Sequence, residues 1–198
     1  MNNYAAVVLT PAIIAAATDT APFIKLDIRP SGTLAVLDLL DRGEVDLAIG
    51  YFDVPGERFG VSSLLEDRFV VAMRRDHPSA RQKFSASAFA ALLHLDISSS
   101  GEDTSFIDRW LGSQKLGRRI AHCAPYLSAA QVLAQSNMVA TLSLRIAKAY
   151  VHSAELQIGE LPFKSPRVEL AMLWHRRLES QPSHRWLRAM IGTVAKRL

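Results

Sequence analysis

Residues 26–50, LDIRPSGTLAVLDLLDRGEVDLAIG, constrain the fold of this chain more than any other stretch. Their spacing predicts strand, turn, helix, turn, strand. Leu26 and Ile28 alternate with polar neighbours, and Pro30-Ser31-Gly32 ends the run. Ser31 or Thr33 can cap the following helix by accepting from its free N–H groups. Leu34, Leu37 and Leu40, with Val36, fall at helical spacing and give one apolar face. Gly43 can take the left-handed conformation that closes a helix. Val45, Leu47 and Ile49 then restart a two-residue period that ends at Gly50. A unit of this kind requires a parallel sheet, because the helix carries the chain back across it. In open parallel sheets ligands sit beyond the carboxyl ends of the strands, which puts Pro30-Ser31-Gly32 and Gly50-Tyr51-Phe52 on the binding side. An ordinary structural unit without a ligand would have the same pattern.

The rest of the chain alternates in the same way. A helix starts almost at Met1, capped by Asn2 or Asn3, with Ala5, Leu9, Ile13 and Ala16 on one side. No strand precedes it, although an alternating fold would normally begin with one. Val61–Leu65 is a short apolar segment, and Phe69–Met73 is a continuous apolar strand of the kind buried on both faces. Further strands are expected at His94–Ile97, Ile120–Cys123, Met138–Leu142, Leu156–Leu161 and Val168–Trp174. Helices are expected at Ser85–Leu93, Phe106–Gln114, Ala129–Ser136 and Arg145–Val151, and in a final segment with Leu187, Met190, Ile191, Val194 and Leu198 as its stripe. The fold class is therefore α/β. Phe69–Met73 and Val168–Trp174 bracket a middle section. If both strands pass between lobes, a ligand cleft lies between an outer and a middle lobe.

Composition narrows the function. The 198 residues carry a single cysteine, Cys123, so an intramolecular disulfide and a cysteine-based zinc site are excluded. No apolar run reaches the roughly 20 residues that cross a bilayer. The net charge of +4 is mildly basic. Arg74-Arg75, Arg118-Arg119 and Arg176-Arg177 are separate pairs, better explained as solvated faces than as one nucleic-acid stripe. The six histidines show no metal-ligand spacing. The sequence has no GxGxxG after a strand, no P-loop, no HExxH and no GxSxG elbow. No nucleophile stands at a recognisable spacing from a base, so no enzyme is expected. Ser98-Ser99-Ser100-Gly101, before a helix, offers hydroxyls and free N–H groups that suit an anion. Plain serine capping explains that turn equally well.

Taken in order, NYAAVVLTPAI, Ala21-Pro22, LDIRP, LLDRGEVDLAIG, LLEDRFVVAMRRDHP, SAAQVLAQSNMVATLSLRIA, VELAMLWHRR and PSHRWLRAMI resemble the effector-binding domain of LysR-type transcriptional regulators over nearly the whole chain. WHRR followed by RWLR looks most like the subgroup that answers to aromatic acids or flavonoids. The resemblance implies two Rossmann-like lobes joined by two crossover strands, similar to the type II periplasmic binding proteins. Residues 1–67 with 167–198 would form lobe I, and 68–166 lobe II. It implies a small organic inducer between the lobes and no cofactor. The contacts would be Asn2, Asn3, Tyr4, Pro30, Ser31, Gly50, Tyr51, Ser98, Ser99, Ser100, Gly101 and Tyr126. Where aromatic-responsive members carry a histidine after the serine-glycine turn, Glu102-Asp103 stands here, which argues for a polar or cationic group at that spot. The resemblance also implies a cytoplasmic homodimer, tetrameric in a full-length regulator. Helix Val7–Ala17 would pair antiparallel with helix Ala129–Ser136 of a neighbour. DNA would be bound only through a winged helix-turn-helix absent from this chain. The family's first regulatory strand is also expected to be missing. A stand-alone solute-binding protein of a transport system is the alternative; it would need an export signal.

Overall fold

In the computed structural model, the described residues are 1–30, 36–52, 56–97 and 104–198. In chain order they form α1 (Asn3–Thr20), α2 (Val36–Arg42), β1 (Ala48–Gly50), β2 (Phe59–Arg74), α3 (Ala86–Ala91), β3 (Leu93–Ile97), α4 (Ser105–Ser113), β4 (Arg119–Ala124), α5 (Ala129–Ala134), β5 (Met138–Ser143), α6 (Leu144–Ser153), β6 (Leu156–Gly159), β7 (Arg167–His175) and α7 (Pro182–Ala195). The chain divides into two compact units, Met1–Glu66 with Glu169–Leu198, and Asp67–Val168.

In the first unit β1 runs antiparallel to β7, with Ile49 opposite Met172, and β7 also neighbours β2. Val36, Leu40, Ala48, Phe59 and Leu173 form one buried cluster. α1 packs against α7. The alanine-rich α1 begins where the Asn2 side chain accepts from the Ala5 N–H at 2.8 Å. It closes where the Ala21 N–H reaches the Ala17 carbonyl, just before Pro22. Pro182 occupies the first turn of α7, where its missing N–H costs nothing. His184 of α7 donates from Nε2 to the Asp46 carbonyl at 2.9 Å, tying this helix to the segment before β1.

In the second unit β3 lies parallel between β4 and β5, and the end of β2 lies antiparallel between β5 and β6. The crossovers α4 and α5 make the parallel pairings possible. Phe69, Val71, Met73, Phe89, Ile107, Leu111 and Val139 are buried together. The Phe69 and Phe106 rings pack at 4.7 Å, and Trp110 stacks on Phe163 at 4.3 Å.

The structure departs from the expected elements at specific places. Val61–Leu65 and Phe69–Met73 belong to one 16-residue strand, β2. Its exposed Val61 and Ser63 share one face of the pleat, and Glu66 is exposed on the other, so these polar and exposed positions do not break the strand. The strand expected at Leu26 and Ile28 joins no ladder, and β1 starts only at Ala48. Leu198 is 47% exposed because α7 ends at Ala195, so it falls outside the apolar stripe. Gly43 ends α2 with φ +73°, in the left-handed region. The caps expected at Ser31 and Thr33 lie outside the described residues.

Candidate functional site

Four of the expected ligand residues lie together in the first unit. The Asn2 N–H donates to the Ile49 carbonyl at 3.0 Å, joining the start of α1 to the end of β1. Tyr4, one turn into α1, is 1% exposed. Its ring lies 5.9 Å from that of Tyr51, which follows β1 and is half-buried. Gly50 lies between them. A Cβ there would meet Phe52 Cζ at 3.3 Å and Asn2 Nδ2 at 3.8 Å, so a larger residue would crowd the corner. Helix start, strand end and two aromatic rings thus meet at the carboxyl end of β1. Asn3 occupies the first position of α1 and is half-buried.

The remaining residues fall elsewhere. Pro30 is exposed and borders a cavity of about 350 Å³ lined by residues 25–30 and 44–49. Tyr126 belongs to the second unit, where it opens a 3-10 turn and is 3% exposed. Ser31, Ser98, Ser99, Ser100 and Gly101, and the acidic pair Glu102-Asp103, lie outside the described residues.

A polar cluster joins the end of β3 to the start of α4. Arg118, its side chain 5% exposed, donates from Nε to Asp108 Oδ1 at 2.7 Å and from Nη2 to Oδ2 at 2.8 Å. Its Nη1 is 3.6 Å from Asp96 at the end of β3, and its Nη2 reaches Thr104, which opens α4. Hydrogen bonding to Arg118 holds the Asp108 carboxyl below the usual carboxylate range. His94, buried beside this cluster, donates from Nε2 to the Phe89 carbonyl at 2.9 Å. Burial lowers its pKa, so the neutral ring is favoured. These groups hold the β3–α4 corner together. His77 is equally structural: its Nδ1 accepts from the Ser79 N–H at 3.0 Å, and its Nε2 faces the Asn137 carbonyl at 3.2 Å.

The fold and the polar ends of α1 and β1 define an α/β binding domain without an assembled catalytic constellation among the described residues. Residues 1–196 match the LysR substrate binding domain model, and the chain belongs to that family. It is an effector-binding domain of the LysR type, not an enzyme. Among curated proteins it is 30% identical over 200 residues to the HTH-type transcriptional regulator SyrM of Rhizobium meliloti (strain 1021), covering 98% of this chain and 60% of the relative. It is 22% identical over 192 residues to the HTH-type transcriptional activator NahR of Pseudomonas putida, covering 96% of this chain and 64% of that protein. The chain therefore spans about 60% of the length of these relatives. Among solved structures, the regulatory domain of MexT, a transcriptional activator in Pseudomonas aeruginosa, superposes with a TM-score of 0.86 at 24% identity, over 98% of this chain and 96% of that one. Probable transcriptional regulator PA0477 from the same organism gives 0.81 at 26% identity, over 96% and 63%. The fold is that of these regulatory domains.

Proposed function

We propose that this domain senses a small organic effector for a LysR-type transcriptional regulator, taking it between its two lobes through Asn2, Asn3, Tyr4, Pro30, Ser31, Gly50, Tyr51, Ser98–Gly101 and Tyr126. The observation that carries the reading is the corner of Asn2, Tyr4, Gly50 and Tyr51 at the carboxyl end of β1, in a chain that belongs to the family. Such a corner offers two aromatic rings and the N-terminal end of α1, a combination that suits a flat ring bearing a polar group. The effector class is an aromatic or other small organic acid, in keeping with the resemblance of WHRR followed by RWLR to the subgroup that answers to aromatic acids or flavonoids. Binding shifts the balance between domain arrangements and so resets how subunits pair.

Pairing itself is part of the proposal. α1 buries Leu9 and Ile13 inside its own unit, yet Pro11, Ile14 and Ala15 face outward, with Ile14 44% exposed. An apolar helix face of this kind suits burial against a second copy, and α5 is the expected partner element. DNA contact belongs to a helix-turn-helix module of a longer protein, consistent with the names of the relatives. The test is a thermal-shift screen of aromatic carboxylates and flavonoids, repeated on Tyr51→Ala and Ser99→Ala. A hit whose stabilisation is weakened by both substitutions supports the site. Unchanged shifts in both variants would place the ligand elsewhere.

A further inference from the structure

Arg118 ties together the two ends of the segment that joins β3 to α4. It directly precedes β4, whose first residue, Arg119, stands opposite Leu93 at the start of β3. Its side chain nevertheless reaches Asp96, near the other end of that strand, with Nη1 3.6 Å from Asp96 Oδ1. Its Nη2 donates to Thr104 Oγ1 at 3.5 Å, and the same hydroxyl donates to Asp96 Oδ1 at 3.4 Å. One residue before the segment and one after it are thus bound to each other and to a single guanidinium. Asp108, one turn further along α4, takes Nε and Nη2 in a two-pronged bond and fixes the plane of the fork. All four residues belong to the second unit.

Two details depart from what local stability favours. Thr104 stands at the N-cap of α4, where a threonine hydroxyl ordinarily accepts from the free N–H groups of the helix, yet it makes no capping bond. The Arg118 side chain is 5% exposed, although arginine is rarely taken so far out of water. A forgone cap and a covered cation at one corner are the kind of local conflict that accompanies a functional constraint.

We propose that Arg118 is a positioning residue for effector binding: it sets the separation of Asp96 and Thr104, and acts through them on Ser98–Gly101 without touching the effector. The inference rests on the proposed role of Ser98–Gly101 in binding. A binding segment gives most affinity when its ends are held to within about 0.5 Å, because a looser one must be ordered as the ligand arrives. Lysine cannot take over this task. Its ammonium lacks the planar fork that meets Asp108, Asp96 and Thr104 together.

The test is titration calorimetry of the whole chain with benzoate, 4-hydroxybenzoate and flavone as probes. It is run on the parent and on Ser99→Ala, Arg118→Lys, Thr104→Val and Phe163→Leu. Thr104→Val keeps the side-chain shape and the Arg118–Asp108 bond, so it reads the clamp even where an Arg118 variant fails to fold. Phe163→Leu breaks the stack on Trp110 in the same unit and shares none of the clamp's contacts. Arg118→Lys and Thr104→Val are expected to weaken the probe that Ser99→Ala weakens by about fivefold or more, in the coupling range for residues of one network, while Phe163→Leu leaves its Kd within about twofold. Combined with Ser99→Ala, Arg118→Lys should cost less than the sum of the two single losses, since both act on one segment. Parent-like affinity in Arg118→Lys and Thr104→Val, beside a loss in Ser99→Ala, would overturn the clamp and leave the role of Ser98–Gly101 standing. Equal losses in Phe163→Leu, or strictly additive losses with Ser99→Ala, would reduce Arg118 to general stability and overturn the proposal too. Binding of no probe, or of none that Ser99→Ala weakens, would remove the role of Ser98–Gly101 and the clamp with it.

Discussion

The Trp174 indole lies so close to the backbone of Gly60 that a Cβ at Gly60 would overlap its Cε2, Cζ2 and Nε1 atoms. The ring cannot give way. Its Nε1–H donates to Glu179 Oε2 at 2.9 Å, and the Arg188 guanidinium sits 4.6 Å above it. Gly60→Ala should therefore destabilise the protein by about 1–3 kcal/mol, the usual cost of overpacking. Urea denaturation gives the magnitude, and a shifted Trp174 indole N–H resonance would locate the strain. A variant as stable as the parent would show that the contact relaxes freely.

Arg118 is nearly covered, while its partner Asp108 is half-exposed. Arg118→Met removes a two-pronged bond to Asp108 and the approach to Asp96. The expected loss is about 1.5–3 kcal/mol, the range for hydrogen bonds to charged groups. Asp108→Asn keeps one acceptor and should lose less. Equal losses would mean that the contacts of Arg118 with Asp96 and Thr104 add nothing to its bond with Asp108.

His94 sets a pH dependence. Burial favours its neutral ring, so its folded pKa lies below its unfolded value near 6.5. The unfolded chain then binds the extra proton first. The contribution of His94 to stability is complete above pH 6.5 and is lost as pH falls through the folded pKa. Urea midpoints between pH 7.5 and pH 5.5 should decline in the parent and decline less in His94→Gln, whose amide can still donate to the Phe89 carbonyl. Parallel declines would assign the effect to other groups.

Asn2 joins cap and site. Asn2→Ala removes the acceptor for the Ala5 N–H and should cost about 1 kcal/mol, whereas Asn2→Ser should keep most of the cap. Chemical denaturation without ligand isolates this capping effect from any effect on effector binding.

Much of the fold was legible because periodicity reports burial directly. Phe69–Met73 reads as a strand buried on both faces, and all of its residues are buried. Gly43 reads as a helix stop, and its φ of +73° is the reason. The full length of β2 was hidden because Ser62-Ser63 and Glu66-Asp67 resemble a turn, although several of these positions merely face solvent. Strand pairing was hidden too. Leu26 and Ile28 have the alternation of a strand, but a ladder needs a neighbour that local pattern cannot supply. At the site, the role of Asn2 as a cap was readable from residue type. The approach of Tyr4 to Tyr51 depends on how α1 docks on β1, which is a tertiary property.

Calorimetric titration of the purified domain with the screened aromatic carboxylates and flavonoids, run on the parent and on Tyr51→Ala, tests the central claim most directly. An effector present at 100 times its Kd stabilises the folded state by about 2.7 kcal/mol. In a domain of this size that raises the thermal midpoint by about 5–10 °C, so the screen can find it before the titration. The account predicts saturable binding of one effector per chain, weakened at least about tenfold, or 1.4 kcal/mol, in Tyr51→Ala. Binding of equal strength in both proteins, or no binding by any member of the panel, would contradict it.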